Sequence, residues 1–374
     1  MLTPFDDYPV HQLPLPVAHP GTGDANQYDR YWFNGFTEDR YFALAMGRYP
    51  NRGVMDAAFS VVHDGVQRSV FVSGRAPDDP AVTSIGPVTV EIVEPLRTSR
   101  LLVEAPEQGL VADLTFTART AAFEEPRQTY HHGNRLFMDA TRMTQWGSWT
   151  GTLEVAGRPV EIVAGTRGTK DRSWGIRPVG APAPAAPMPG DVQFFFLWAP
   201  LHFDDVCLHF LVFEEADGHR WSQTASMLPV IGPDGPTWGA DARFEILAGG
   251  DHDVRWATGL RRAETAALHL RRRDGERIDV ELEPLLTFRM RGAGYGHPTF
   301  RHGAWHDELV VAGEAHSVDE LDSLDPASIH VQQVMRATWD GRPKSIRHGL
   351  GVLEQLVVGP HEPSGFRSLL DGAP

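Results

Sequence analysis

Short apolar or alternating runs, each ended by glycine, proline or an Asp-Gly pair, follow one another along nearly the whole chain. Residues 41–46, 55–62 and 66–72 are the first of these, the last two separated by His63-Asp64-Gly65. Runs at 88–93, 100–105 and 110–118 follow. In the last of them Leu114-Thr115-Phe116-Thr117 alternates as a half-buried strand does. Residues 149–155 and 160–164 flank Ala156-Gly157-Arg158 and read as a hairpin. Farther on, 192–198 and 206–213 are strongly apolar and so are expected to be covered on both faces, whereas 221–227, 241–246, 254–258, 267–272 and 277–282 alternate more. Only 317–324 has a helical start, with Ser317 three residues before Glu320 as a capping box. This rhythm predicts an all-β protein of antiparallel barrels or sandwiches.

At 374 residues the chain exceeds one ordinary core. Its sharpest change of composition is Pro178-Val179-Gly180-Ala181-Pro182-Ala183-Pro184-Ala185-Ala186-Pro187-Met188-Pro189. Proline cannot donate to a ladder, so this tract divides the chain into a domain at 1–178, a linker or loop at 179–190 and a second domain at 191–374. The first thirty or so residues, rich in proline and polar groups, read as an extended surface arm.

The formal net charge of -15 argues against a nucleic-acid surface. The one dense basic cluster, Arg271-Arg272-Arg273, stands before Asp274-Gly275 and reads as the rim of a hairpin. A single cysteine, Cys207, excludes an internal disulfide and sits in an apolar run as a buried thiol would. No uncharged stretch is long enough to span a membrane, and the first residues lack the basic start and apolar core of a signal peptide, so a cytoplasmic location is expected.

Dinucleotide fingerprints, phosphate loops, nucleophile elbows and paired-cysteine zinc sites are missing, and no cofactor is expected. What remains is chemistry that needs an acid, a base and a shaped apolar cavity. Three stretches can carry it. In Gly168-Thr169-Lys170-Asp171-Arg172-Ser173-Trp174-Gly175-Ile176-Arg177 an acid, an indole and arginines crowd together. Strand geometry would send Asp171 and Trp174 to opposite faces, and a turn or bulge would bring them together. A buried Asp–Arg pair holding the junction is the competing reading. In 292–307 His297, His302 and His306 accompany Tyr295, Trp305 and Asp307. The interrupting Gly and Pro argue against converging metal ligands, so acid–base or hydrogen-bonding roles at a pocket mouth are expected and a metal is not. In 131–147, Arg135, Asp139 and Arg142 suggest a charge network fixing an irregular segment.

The stretch Gly168-Thr169-Lys170-Asp171-Arg172-Ser173-Trp174-Gly175 resembles the Gly-x-x-Asp-x-x-Trp-Gly signature of the hydroxyneurosporene synthase (carotenoid hydratase) superfamily. These tandem lipocalin-like proteins include attachment-type proteins and fungal Diels–Alderases. Tyr28-Asp29-Arg30-Tyr31-Trp32-Phe33-Asn34-Gly35-Phe36 is similar to that group's aromatic opening, and Gly349-Leu350-Gly351-Val352-Leu353-Glu354-Gln355 to a late motif. Both also resemble bacterial relatives in which Gly-Tyr-Gly-His-Pro recurs. The resemblance implies two consecutive lipocalin-like domains, with Asp171 protonating a carbon–carbon double bond and Trp174 facing the resulting cation. The sequence departs from the hydratases in Arg172-Ser173 and in its His-rich segment.

Protonating an alkene needs a carboxylic acid kept neutral by burial, and the cation needs aromatic faces. Trp174, Trp198, Phe194, Phe195, Phe196 and Trp305 are candidates for those faces, Tyr295 and Arg177 for further substrate contacts, and His297, His302 or His306 for activating water. The expected function is an acid-catalysed hydratase, isomerase or cyclase acting on an unsaturated lipophilic molecule. The rival is a non-catalytic carrier of such a molecule, favoured if Arg177 locks Asp171 in its ionised form.

Overall fold

The computed structural model describes residues 1–180 and 192–374; residues 181–190 of the expected linker lie outside the described residues. Two curled antiparallel sheets make up the fold. The first runs in the order Leu309–Ser317, Val66–Arg75, Val54–His63, Tyr41–Tyr49, Gln27–Phe36, Arg167–Ile176, Arg135–Val155, Leu110–Ala118, Thr98–Ala105, Val88–Glu94, Ser84–Ile85. The second runs Glu245–Ile246, Arg220–Pro229, Val206–Glu214, Phe194–His202, His348–Val358, Val331–Trp339, Arg277–Arg289, Ala263–Arg271, Gly249–Trp256. Helical structure among the described residues is confined to short 3-10 turns, and no helix is long and apolar enough to cross a membrane.

Local chemistry explains most of these strands. Asp64 and Gly65 (φ 51° and 74°) and Ala156 and Gly157 (φ 51° and 74°) are two-residue hairpin turns with both central residues left-handed, the twist that neighbouring strands demand. Leu110, Ala112, Leu114, Phe116 and Ala118 all point inward from Leu110–Ala118, between less buried partners. Strands without a polar face have two cores to serve. Phe195, Leu197 and Ala199 enter the core of the second sheet, while Phe196 and Trp198 enter a third core between the sheets. Phe42 and Leu44 likewise face the first sheet's own core, and Tyr41 and Ala43 face the third. The Arg271-Arg272-Arg273 rim is a turn, with Arg272 bonding Glu276 and Glu245.

Several expectations need correction. No helix forms at 317–324: Ser317 ends the Leu309–Ser317 strand in register with Val66, and the acidic residues beyond it make turns. The runs at 160–164 and 241–246 yield only the stubs Arg158–Val160 and Glu245–Ile246. Residues 135–155 are one continuous strand rather than an irregular segment. Leu309–Ser317, within the expected second domain, is an edge of the first sheet and covers the otherwise open Val66–Arg75. Gln67 fastens this return, donating to the Arg289 carbonyl at 2.7 Å and accepting its N–H at 2.9 Å.

The first core is built on Trp149, whose ring meets Phe42, Phe116 and Phe33 edge-on at 5.2, 5.3 and 5.9 Å. Its Nε1 donates to the Asn34 carbonyl at 2.8 Å, over Gly168. A Cβ at residue 168 would lie 2.1 Å from both that carbonyl oxygen and the indole nitrogen. Gly168→Ala is therefore expected to lose at least about 1–3 kcal/mol, the usual scale of core overpacking, as measured by urea denaturation. A wild-type midpoint would show that the strands part at no cost.

Candidate functional site

Strand register assembles the site. Across Gln27–Phe36, Arg167–Ile176 and Arg135–Val155, Arg30, Ser173 and Arg142 form one row, and Trp32, Asp171 and Thr144 the next but one along the same face. That face looks toward the second sheet, where Trp198 and Glu354 are directly paired. Arg30, Trp32, Arg142, Asp171, Ser173, Trp198 and Glu354, joined by Arg177 and Tyr295, enclose a polar chamber of about 30 Å³.

Beside it lies a far larger cavity of about 850 Å³, walled by Tyr130, Phe137, Met138, Phe194, Phe196, Phe213, Leu356 and Val358. Arg142, Arg177, Tyr295 and Glu354 line both spaces. The larger space falls within the range of small-molecule sites, mostly apolar with a few convergent polar groups.

Asp171 is 8% exposed, and its carboxylate lies 3.2 Å from Nε of Arg142. Burial pushes its pKa up to about 7; Arg142 opposes this, while the like charges of Glu125 and Glu354 add to it. Arg142 stays charged despite its own burial, held by Asp171 and by Glu125, whose Oε2 is 4.0 Å from Nη1. Glu125 accepts from Thr144 at 2.8 Å and Gln128 at 3.2 Å, and lies 3.1 Å from His209. Glu354 pairs with His330 and accepts from Gln332, both at 2.7 Å. Burial would raise the pKa of Glu354, yet these partners hold it below the ordinary carboxylate range.

The residues singled out in the sequence divide between the site and other places. Asp171, Arg177, Trp198 and Tyr295 line the chamber. Trp174 does not. The strand Arg167–Ile176 contains no turn or bulge at Asp171, so alternation puts Trp174 on the other face, 43% exposed. Phe195 points into the second core, stacked on His361 at 4.1 Å, and its neighbours Phe194 and Phe196 face the cavity instead. Trp305 is 46% exposed against Arg75. His297 is held 3.3 Å from Glu314 and packs on Phe71, and His306 lies against Phe300. Neither lines either space. His302 does reach the larger cavity, stacked edge-on against Tyr295, but burial and the nearby Arg30 push its pKa down to about 4. It is a weak base, and its Nδ1 stands 3.7 Å from Asp56. Among the described residues no cluster of His, Cys, Asp or Glu is arranged to hold a metal ion.

The partner of Asp171 is Arg142 rather than Arg177, and Asp139 pairs outward with Arg127. Arg30, Trp32, Glu125, His330 and Glu354 were not read as site residues. The signal lay in the quoted motifs: Arg30 and Trp32 belong to the aromatic opening and Glu354 to the late motif, and both converge on Asp171.

With a folded pKa about 7 against an ordinary 3.8, Asp171 keeps a proton that the unfolded chain has released between about pH 4 and about pH 7. Its contribution to stability therefore falls as pH rises through that window. Asp171→Asn lacks this titration. Denaturation at the two ends of the window should show wild type losing more stability than the variant; equal losses would mean Asp171 titrates normally.

No functionally curated protein matches this sequence. Among solved structures, an AttH-assigned protein of Nitrosomonas europaea superimposes with a TM-score of 0.52 at 14% identity, over 93% of this chain and 98% of that one. CghA matches with a TM-score of 0.47 at 12% identity, over 89% and 88%. At 14% identity the AttH-assigned structure supports the tandem-barrel fold alone. Over residues 2–367 the sequence matches a family of unknown function (DUF8625), and the chain belongs to that family.

Proposed function

We propose that the protein is a cofactor-independent acid–base catalyst, a hydratase, isomerase or cyclase, acting on an unsaturated lipophilic molecule such as a terpenoid, steroid or polyketide. The carrying observation is a carboxyl group whose pKa is raised to about 7, placed against the wall that the polar chamber shares with a large apolar cavity. A fraction of Asp171 near one half is then protonated at neutral pH, which suits proton transfer in either direction. The carboxylic acid gives its proton to one alkene carbon and becomes a carboxylate stabilised by Arg142. The neighbouring carbon becomes a cation, faced by aromatic rings such as Trp198 and Tyr295 in place of the outward Trp174. Loss of an adjacent proton to the carboxylate gives an isomer. Capture by water, with its spare proton returned to Asp171, gives an alcohol. Attack by a second double bond closes a ring and moves the cation, which is then quenched by loss of a proton to the Asp171 carboxylate or by water whose spare proton returns to it.

The Asp171–Arg142 contact at 3.2 Å favours a second reading, since an ionised carboxylate in a closed pair donates no proton and the cavity would then serve a carrier. Incubating the protein with lipophilic cell extract, followed by mass spectrometry of retained and released compounds, separates the two. Turnover should appear with wild type. Asp171→Asn should retain the compounds but lose about a hundredfold or more in rate, the scale of one acid–base group. Retention without change in both proteins would establish the carrier.

A further inference from the structure

Arg30 is 2% exposed, lines the chamber, and has both terminal guanidinium nitrogens buried without an acceptor among the described residues. Trp32, 5% exposed, presents a buried Nε1–H into the same space with no acceptor either. Unmade hydrogen bonds of this kind are costly, more so at a charged group. The surrounding carboxylates do not relieve them. Asp56 influences Arg30 electrostatically, but its oxygens accept from Tyr49 at 3.2 Å and from the Gly303 N–H at 2.6 Å. Glu354 is engaged by His330 and Gln332, and Asp171 by Arg142. Arg30 and Arg177 flank the Tyr295 ring at 4.7 and 5.9 Å, neither within ion-pair distance of a carboxylate among the described residues.

We infer that the chamber is a subsite for an acidic oxygen of the ligand, a carboxylate or an enolate, received by Arg30 and the Trp32 N–H while the apolar body occupies the adjoining cavity. This rests on the reading of that cavity as a lipophile site and narrows its substrate class to amphipathic acids. The volume of about 30 Å³ admits about two oxygen atoms and excludes a bulky group. Placed there, the anionic oxygen lies in the same chamber as Asp171, so a double bond within reach of that acid is one adjoining the head group, where the chamber meets the larger cavity.

The test compares cis-parinaric acid with its methyl ester, a fluorescent pair differing at the head group, in the full-length protein. Wild type should bind the acid at least about tenfold more tightly, the scale of one charge-assisted hydrogen bond. Arg30→Met should bring the acid down to the ester's affinity and leave the ester unchanged. Trp32→Phe, which removes the N–H and keeps a ring, should reduce the preference several-fold and carries the test if Arg30→Met fails to fold. Equal binding of the two probes by wild type overturns the subsite while leaving the cavity reading intact, as does an undiminished preference in the variants. Binding of neither probe overturns both.

Discussion

The ion pair of Asp171 with Arg142 lies where the two sheets face each other, and the surrounding structure is arranged to make it tolerable. Two charges removed from water cost several kcal/mol each unless their remaining bonds are made. Here the compensation is layered. Arg142 leans on Glu125, Glu125 on Thr144, Gln128 and the neighbouring His209, and Glu354 on His330 and Gln332. Gln332 in turn accepts from Asn34 at 3.0 Å and from Tyr41, so the network ties the second sheet back to the first. Sheet packing and site electrostatics are one arrangement.

That layering leaves an imbalance. Carboxylates around the chamber are well supplied with partners, whereas Asp171 itself is opposed by burial and by two like charges, and Arg30 has no acceptor. With the Trp32 N–H, Arg30 leaves the chamber with buried donors that a ligand oxygen could satisfy. Burial of Asp171, reinforced by the charges of Glu125 and Glu354, pushes its pKa up toward neutrality against the pull of Arg142.

Much of the fold was legible because strand rhythm and turn chemistry are local. His63-Asp64-Gly65 and Ala156-Gly157 announce hairpins, and runs with no polar face announce strands buried on both sides, as at Phe194–His202 and Val206–Glu214. The site was legible only in part. Asp171 was visible from its neighbourhood, but the residues that share its chamber come from positions 30, 142 and 354, which meet through long-range register that local pattern does not encode. Parity decided the errors. Supposing a bend between Asp171 and Trp174 turned an outward indole inward, and counting Phe195 with Phe194 and Phe196 ignored that alternation sends it to the other face of the strand. The histidines of 297–306 scatter because their segment is a looping return that fastens to the first sheet, with Gly303 and Ala304 bonded to Asp56 and Ser73.

Gly175, the last residue of the Gly-x-x-Asp-x-x-Trp-Gly stretch, has φ 136° and would carry its Cβ to 2.2 Å from the Asp139 carbonyl oxygen, so the motif's ends are set by close strand approach and its centre by the buried acid. The state of that acid is the question on which function turns. Infrared difference spectroscopy of the intact protein, titrated from about pH 5 to about pH 9 and compared with Asp171→Asn, observes it directly. A protonated-carboxyl band that is lost with a midpoint near 7, and is missing from the variant, is the expected result. A spectrum in which Asp171 is ionised across the whole range would contradict the assignment of a proton donor at this site.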